Sequence, residues 1–492
     1  MTSQSSEGAL DPRLPDVDPP NGPGRSDHAV DLESRGGVFH RSAWLVAFAV
    51  SMCVTAAYVA YATWQWNQYV VKSWDLSIFT QLLQSYARLQ PPIVNVKGDG
   101  FNLLGDHFHP LLAVLTPVFA IFPYAFTMLI IQAACFGISA GMLAATASRH
   151  LGTRAGGVLL GLAFGLSWGL QHAAEAQFHE IALAVPLLTG SLLAVIERRW
   201  WPAVLWAAPL VFVKEDLGLT VVAVGLLVAA KARKRLGLWL ALWGFVWLAL
   251  ATLVILPAHN PNGAWAYAES ANPIAVLADP AALFHPSKGE TLLLLVAITG
   301  GLIIRSPVAL ILIPTLAWRF LSTNQGYWGP SWHYSAILMP IAFVALLDAI
   351  DRGPDSRWIW MRRYTRHGIA IATTVALMLL PQLPLAVLLT PDDSTPPDRA
   401  GAAGEILESI PPGSSIESDI GLMNYLVDTH DVYWIGNSNP APDCIVIDHA
   451  AGGTPSEWGD VIAVARRLHP DFDYTTLMQT GDYELACLAT PR

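Results

Sequence analysis

The side chains able to do chemistry in this sequence come in clusters. His172, Glu175 and His179 stand at i, i+3 and i+7. On one helix that spacing puts two imidazoles and a carboxylate on a face about 60° wide, with Glu180 beside them. It suits a divalent metal, the alternative being a polar helix-turn-helix exposed at a membrane surface. Asp106, His107 and His109, in G-D-H-F-H-P (105–110), add two more imidazoles and a carboxylate. They again suit zinc or another transition metal, the alternative being a polar entry turn opened by Pro110. Lys214, Glu215 and Asp216 lie together between two short apolar runs. Lys214 is a candidate for gripping a phosphate, with Glu215 and Asp216 as metal or hydroxyl partners. The other reading is an internally paired turn.

Two further stretches carry candidates. Asp75 sits in W-D-L-S-I-F-T-Q (74–81), whose apolar residues at 76, 78, 79, 82 and 83 predict an amphipathic helix along an interface. A carboxylate there could take the proton of an acceptor hydroxyl, or it could cap the helix. Gln81 closes the motif and is assigned to substrate binding. In Y-W-G-P-S-W-H-Y (327–334), Trp328, Trp332, His333 and Tyr334 could stack on a sugar ring or form an interfacial aromatic belt.

What must position these residues is a membrane fold. Of 492 residues, 53% are hydrophobic and 13% charged, and the mean hydropathy is +0.42, above that of a water-soluble domain. The net charge of −10 argues against a nucleic-acid partner. Residues 1–42 are rich in Ser, Pro, Gly and Asp and read as a disordered cytoplasmic tail, not a signal peptide.

Apolar runs at 43–63, 125–147, 154–174, 178–196, 200–213, 216–230, 236–257, 290–304, 307–321, 334–349 and 368–390 predict about eleven crossings within a transmembrane domain at 43–390. With the N-terminus inside, the inner loops collect Arg149, Arg154, Arg198, Arg199, the basic cluster at 231–235, Arg305 and the arginines of 352–366. The outer segments keep only Lys72, Arg88, Lys97, Lys214, Lys288 and Arg319 up to residue 390. Cytoplasmic loops gather Lys and Arg, so this parity is favoured. It puts a long first loop (64–124) and all five polar stretches on the outer face. The segment 110–122 then reads as re-entrant or interfacial, because a full crossing there would invert everything after it.

From 391 to 492 the composition turns to that of a soluble domain. Short strands are expected near 415–418, 432–435, 444–448 and 483–489, and helices near 420–428 and 456–468. The fold class is thus an all-α polytopic membrane protein with a small external C-terminal α/β domain. Cys444 and Cys487 fall in two of those strands, where a bridge or two buried thiols are both open. Cys53 and Cys135 lie within spans.

The first-loop Asp, about eleven spans, the outer polar cavity and the external tail resemble the GT-C superfamily of membrane glycosyltransferases. W-D-L-S-I-F-T-Q, H-F-H-P, F-H-E, K-E-D and W-H-Y resemble more closely a bacterial and archaeal family of predicted polytopic membrane proteins, a domain of unknown function grouped with that superfamily. This likeness covers roughly residues 43–450. It implies a GT-C-like fold in the plasma membrane and a polyprenyl-phosphate-linked sugar as donor. Transfer to an unknown acceptor would then occur on the extracytoplasmic side, with Asp75 as base and no nucleotide cofactor. Leu76 follows Asp75 where such enzymes commonly carry a second acid. A divalent metal is the cofactor the histidines suit. The alternative reading is a non-enzymatic transporter, metal-binding sensor or envelope scaffold.

Overall fold

The computed structural model describes residues 25–268, 272–390, 397–450 and 458–490. Of the expected tail, residues 1–24 lie outside the described residues, and the backbone of 25–42 is the first part of a helix, Arg25–Asn67. From Ala43 onward the chain forms one compact unit.

Among the described residues, five helices are long and apolar enough to cross a bilayer: Ala43–Asn67, Ala125–Leu151, Arg235–His259, Pro280–Thr299 and His333–Asp351. Several other expected crossings are shorter apolar helices, namely Ile181–Ile196, Trp200–Phe212, Leu217–Ala232, Pro307–Phe320 and Gly368–Gln382. At 154–174 a single span was expected. The chain instead makes two helices, Arg154–Gly165 and Trp168–Glu175, separated at Leu166 and Ser167. Pro110–Ile121 is a 3₁₀ turn running into a short α-helix, about 18 Å long at 1.5 Å per residue and too short to span about 30 Å of hydrocarbon.

Small residues let these helices approach closely. Leu217–Ala232 packs against Arg235–Leu250 through Gly225 and Gly237, where an added Cβ would come within 2.5 Å of the Ala241 nitrogen and 2.2 Å of the Ala229 nitrogen, respectively. Such backbone-to-backbone contact is how helices associate where burial from water supplies no drive.

The first-loop helix, Asp75–Ala87, does not lie on a lipid surface as its amphipathic pattern suggested. Its apolar residues Leu76, Ile78, Phe79, Leu82 and Leu83 are buried in the main core of the protein. The same pattern arises whether the apolar face meets lipid or protein, and here the C-terminal domain covers the helix.

That domain is a five-stranded sheet in the order β2-β1-β3-β5-β4, with β1 Ser415–Ser418, β2 Asp431–Trp434, β3 Cys444–Asp448, β4 Tyr474–Thr480 and β5 Tyr483–Leu488. β1 pairs in parallel with β2 and β3, and β5 runs antiparallel to β3 and β4. The four expected strands and the helices Ile420–Leu426 and Val461–Leu468 are present. The edge strand β4 escaped the pattern because Thr475, Thr476 and Leu477 are all exposed. Cys444 lies directly opposite Cys487 and is bridged to it.

Candidate functional site

A cavity of about 740 Å³ opens among the loops that follow the first helix and precede His333–Asp351. It lies within the size range of small-molecule sites. All five polar stretches contribute to its wall, together with Lys97, Trp265, Tyr267 and Trp318.

Asp75 is the first residue of its helix. The N-cap position before it is taken by Trp74, which makes no side-chain cap bond. Its carboxylate receives the Ser73 hydroxyl, while its own N–H donates to Ser73 Oγ at 3.3 Å. His179 Nε2 lies 3.2 Å from Asp75 Oδ2, within ion-pair range though not aligned as a hydrogen bond. Burial works to raise this carboxyl, but His179, Ser73 and Lys97 outweigh burial and hold it well below the usual carboxylate range. The carboxylate therefore stays ionised.

Gly105 sets the turn that carries the next group. A Cβ there would meet the His259 carbonyl at 2.5 Å, and Asn260 Nδ2 donates to the Gly105 carbonyl at 2.8 Å. Asp106 then receives Tyr267 Oη at 3.2 Å and pairs with Lys97 Nζ at 3.2 Å. His107 lies flat on Tyr267, ring centroids 4.4 Å apart. Its Nδ1 is 2.7 Å from Glu215 Oε1, whose other oxygen receives the Phe108 N–H at 3.0 Å. Burial would raise the Glu215 carboxyl, yet His107, Lys214 and Phe108 bring it down to about 2. On His107 burial acts downward, and Glu215 and Asp106 outweigh it, so its pKa is raised. Burial, opposed by Glu180, drops His109 to about 4, leaving a neutral imidazole near pH 7.

Lys214 Nζ pairs with Glu180 Oε1 at 2.9 Å. In the turn ahead of Leu217–Ala232, Asp216 Oδ1 is buried without a hydrogen-bond partner. Burial, opposed by Lys214 and reinforced by Glu215, pushes Asp216 up to about 6. In the same cavity lining the rings of His179 and His333 stack, centroids 3.5 Å apart, and neither nitrogen of either ring has a hydrogen-bond partner.

Four expected site residues fall elsewhere. His172 and Glu175 do not share a face with His179, because the helix ends at Glu175 and Gln177 takes a left-handed φ of 66°. They pair instead with each other and with Lys72, outside the cavity. Gln81 is a structural tie, donating to the Val432 carbonyl at 2.9 Å and accepting from the Val96 N–H at 3.0 Å. Trp328 is buried, its Nε1 donating to the Ser322 carbonyl at 2.9 Å and its ring lying under Lys288. Among the described residues no three His, Cys, Asp or Glu side chains converge as a metal-ligand group. Asp106, Glu180 and Glu215 are paired instead with Lys97, Lys214 and His107.

Three contributors escaped sequence reading. Lys97 was visible only as an outer cation, Tyr267 carried no motif, and Asn424 lies in the C-terminal domain. Asn424 accepts the Ser77 hydroxyl and donates to the Ser73 carbonyl at 3.3 Å and to Gln177 Oε1 at 2.6 Å. It thereby joins the segment bearing Asp75 to the segment bearing His179.

No curated protein matches this chain. Residues 68–485 match a family model described as Predicted membrane protein (DUF2079).

Proposed function

Since the chain belongs to the DUF2079 family of multi-pass membrane proteins, we propose that its cavity transfers a sugar from a polyprenyl-phosphate-linked donor to an acceptor hydroxyl on the extracytoplasmic face. The reading rests on a GT-C-like arrangement of about eleven crossings, and one observation carries it. An ionised Asp75 shares a partly apolar cavity with two lysines, Lys97 and Lys214. In the proposed step the acceptor oxygen attacks the anomeric carbon and its proton passes to Asp75. The bond from that carbon to the phosphate oxygen breaks with its electron pair going to the phosphate, whose charge Lys214 and Lys97 offset. Glu215 holds His107 in place beside Lys214, and Tyr334 lines the wall next to His333.

The test is transfer from polyprenyl-phosphate sugars in membranes carrying the wild-type protein or Asp75→Asn. A positioned base contributes about 10²–10⁴-fold, so the Asn variant loses activity by that factor while inserting normally. Full activity in the variant removes Asp75 from the mechanism.

A second reading, a non-enzymatic transporter, metal-binding sensor or envelope scaffold, is favoured by the stacked rings of His179 and His333, none of whose nitrogens makes a hydrogen bond. Neutral imidazole binds divalent transition metals. In this reading purified protein retains stoichiometric metal, and loses it in His179→Ala, while no sugar transfer is found.

A further inference from the structure

Trp332 has φ 67° and ψ −179°, a region of backbone space open essentially to glycine alone. A bulky L-residue stays there only if its surroundings over-determine it. The surroundings are dominated by Arg319, which is fully buried at 0% exposure. Its guanidinium pairs with no carboxylate among the described ion pairs and is spent on backbone carbonyls. Nε donates to Tyr327 O at 2.7 Å, Nη2 to Gly329 O at 2.7 Å and Nη1 to Tyr334 O at 3.3 Å. These carbonyls flank Trp332 on both sides. The near end of the loop is pinned again at Trp328, whose carbonyl receives Thr291 Oγ1 at 2.8 Å.

The result of this fixing is specific. His333 is turned inward against His179, while the Trp332 side chain lines the cavity and remains 38% exposed. Most large apolar side chains of the loop are buried or packed on one another, as are Tyr327 and Tyr334, 4.8 Å apart. An indole left open on the cavity wall by a backbone that disfavours it has no packing role to account for its placement.

We propose that Arg319 is a positioning clamp that holds Trp332 in a glycine-like conformation so that its indole forms the stacking wall for the sugar ring of the donor. This rests on the transferase reading and deepens it by naming the surface that meets the sugar. The apolar C–H face of a pyranose packs on an indole, and a rigid platform offers that area without an ordering cost at binding.

Two comparisons test it on purified full-length protein in lipid nanodiscs. The first compares Trp332→Gly with Trp332→Ala by thermal unfolding. Both remove the indole, but only Gly relaxes the backbone. In ordinary backbone Ala is the more stable of the two, whereas here the Gly variant melts higher; an Ala variant melting at or above it overturns the clamp. The second measures protection against unfolding by farnesyl-phosphoryl glucose and by bare farnesyl phosphate. The sugar-bearing probe binds wild type roughly tenfold more tightly than bare farnesyl phosphate. That gain is lost in Trp332→Ala and in Arg319→Lys, which keeps the charge but not the fork, and is retained in Trp332→Phe. An unchanged gain in Trp332→Ala, or none in wild type when both probes protect, overturns the platform. No protection by either probe overturns the donor reading instead, and the Gly–Ala order still decides the clamp.

Discussion

The side-chain amide of Asn424 donates to Gln177 Oε1 at 2.6 Å, so a residue of the C-terminal sheet domain fixes the turn from which His179 enters the cavity. The same amide reaches the Ser73 carbonyl, two residues before Asp75. Asn424→Ala removes these bonds from a buried setting. At about 0.5–1.5 kcal/mol for each hydrogen bond, a loss of about 2 kcal/mol in stability is expected by thermal unfolding. If the cavity transfers sugar as proposed, transfer should fall further than that stability loss explains, and equal activity in Asn424→Ala would show that the tie is only structural.

The Cys444–Cys487 bridge closes a 43-residue separation, for which about 2–4 kcal/mol of stabilisation is expected. Replacing both cysteines by serine should lower the melting temperature, and mass spectrometry of unreduced peptides should recover the two linked. Free thiols at both positions in protein taken from membranes would contradict the pairing.

The His107–Glu215 pair has a defined pH window. Glu215 is lowered from about 4.5 to about 2, so its contribution is present above about pH 4.5 and is lost as pH falls through 2. The pKa of His107 is raised above 6.5, so its contribution is complete below about pH 6.5 and is lost as pH climbs through the raised value. His107→Gln strands a buried carboxylate at a cost of about 3 kcal/mol. Melting curves should therefore separate the variant from wild type most at pH 5–6 and least in alkaline buffer. A separation that grows with pH would refute the assignment.

Orientation can be read by labelling single cysteines in a Cys53→Ser background. Ser331, Asn262 and Arg233 are all exposed. Impermeant reagents added to intact cells should label cysteines at 331 and 262 and spare one at 233, and labelling at 233 would invert the topology.

Much of the cavity was legible because its residues are costly where they stand. Asp106, His107, Lys214 and Glu215 are polar residues between apolar runs, and such groups persist in a membrane bundle only when paired or functional. The face shared by His172, Glu175 and His179 was misread because residue spacing assumes an unbroken helix, and nothing in A-E-A-Q-F-H-E announces the left-handed turn at Gln177. Trp328 and Trp332 are four residues apart in one motif. Whether an indole fills the core or faces a ligand depends on the backbone at each position, which composition does not encode. The role of Asn424 was invisible because its partners Ser73, Ser77 and Gln177 are remote in sequence, and long-range hydrogen bonds leave no periodic signal.

The bond from Asn424 to the Ser73 carbonyl spans 351 residues, and this imposes an order on biogenesis. A ribosome has made Asp75, His179 and Lys214 long before it makes the residue that ties two of their segments together. A nascent chain with every membrane helix inserted thus still has an unfinished cavity, and maturation waits for the last domain to fold and dock. Truncation ahead of the sheet should yield an inserted polypeptide whose cavity lacks the Asn424 tie, so whatever occupies the cavity meets its finished wall only once synthesis has passed the sheet.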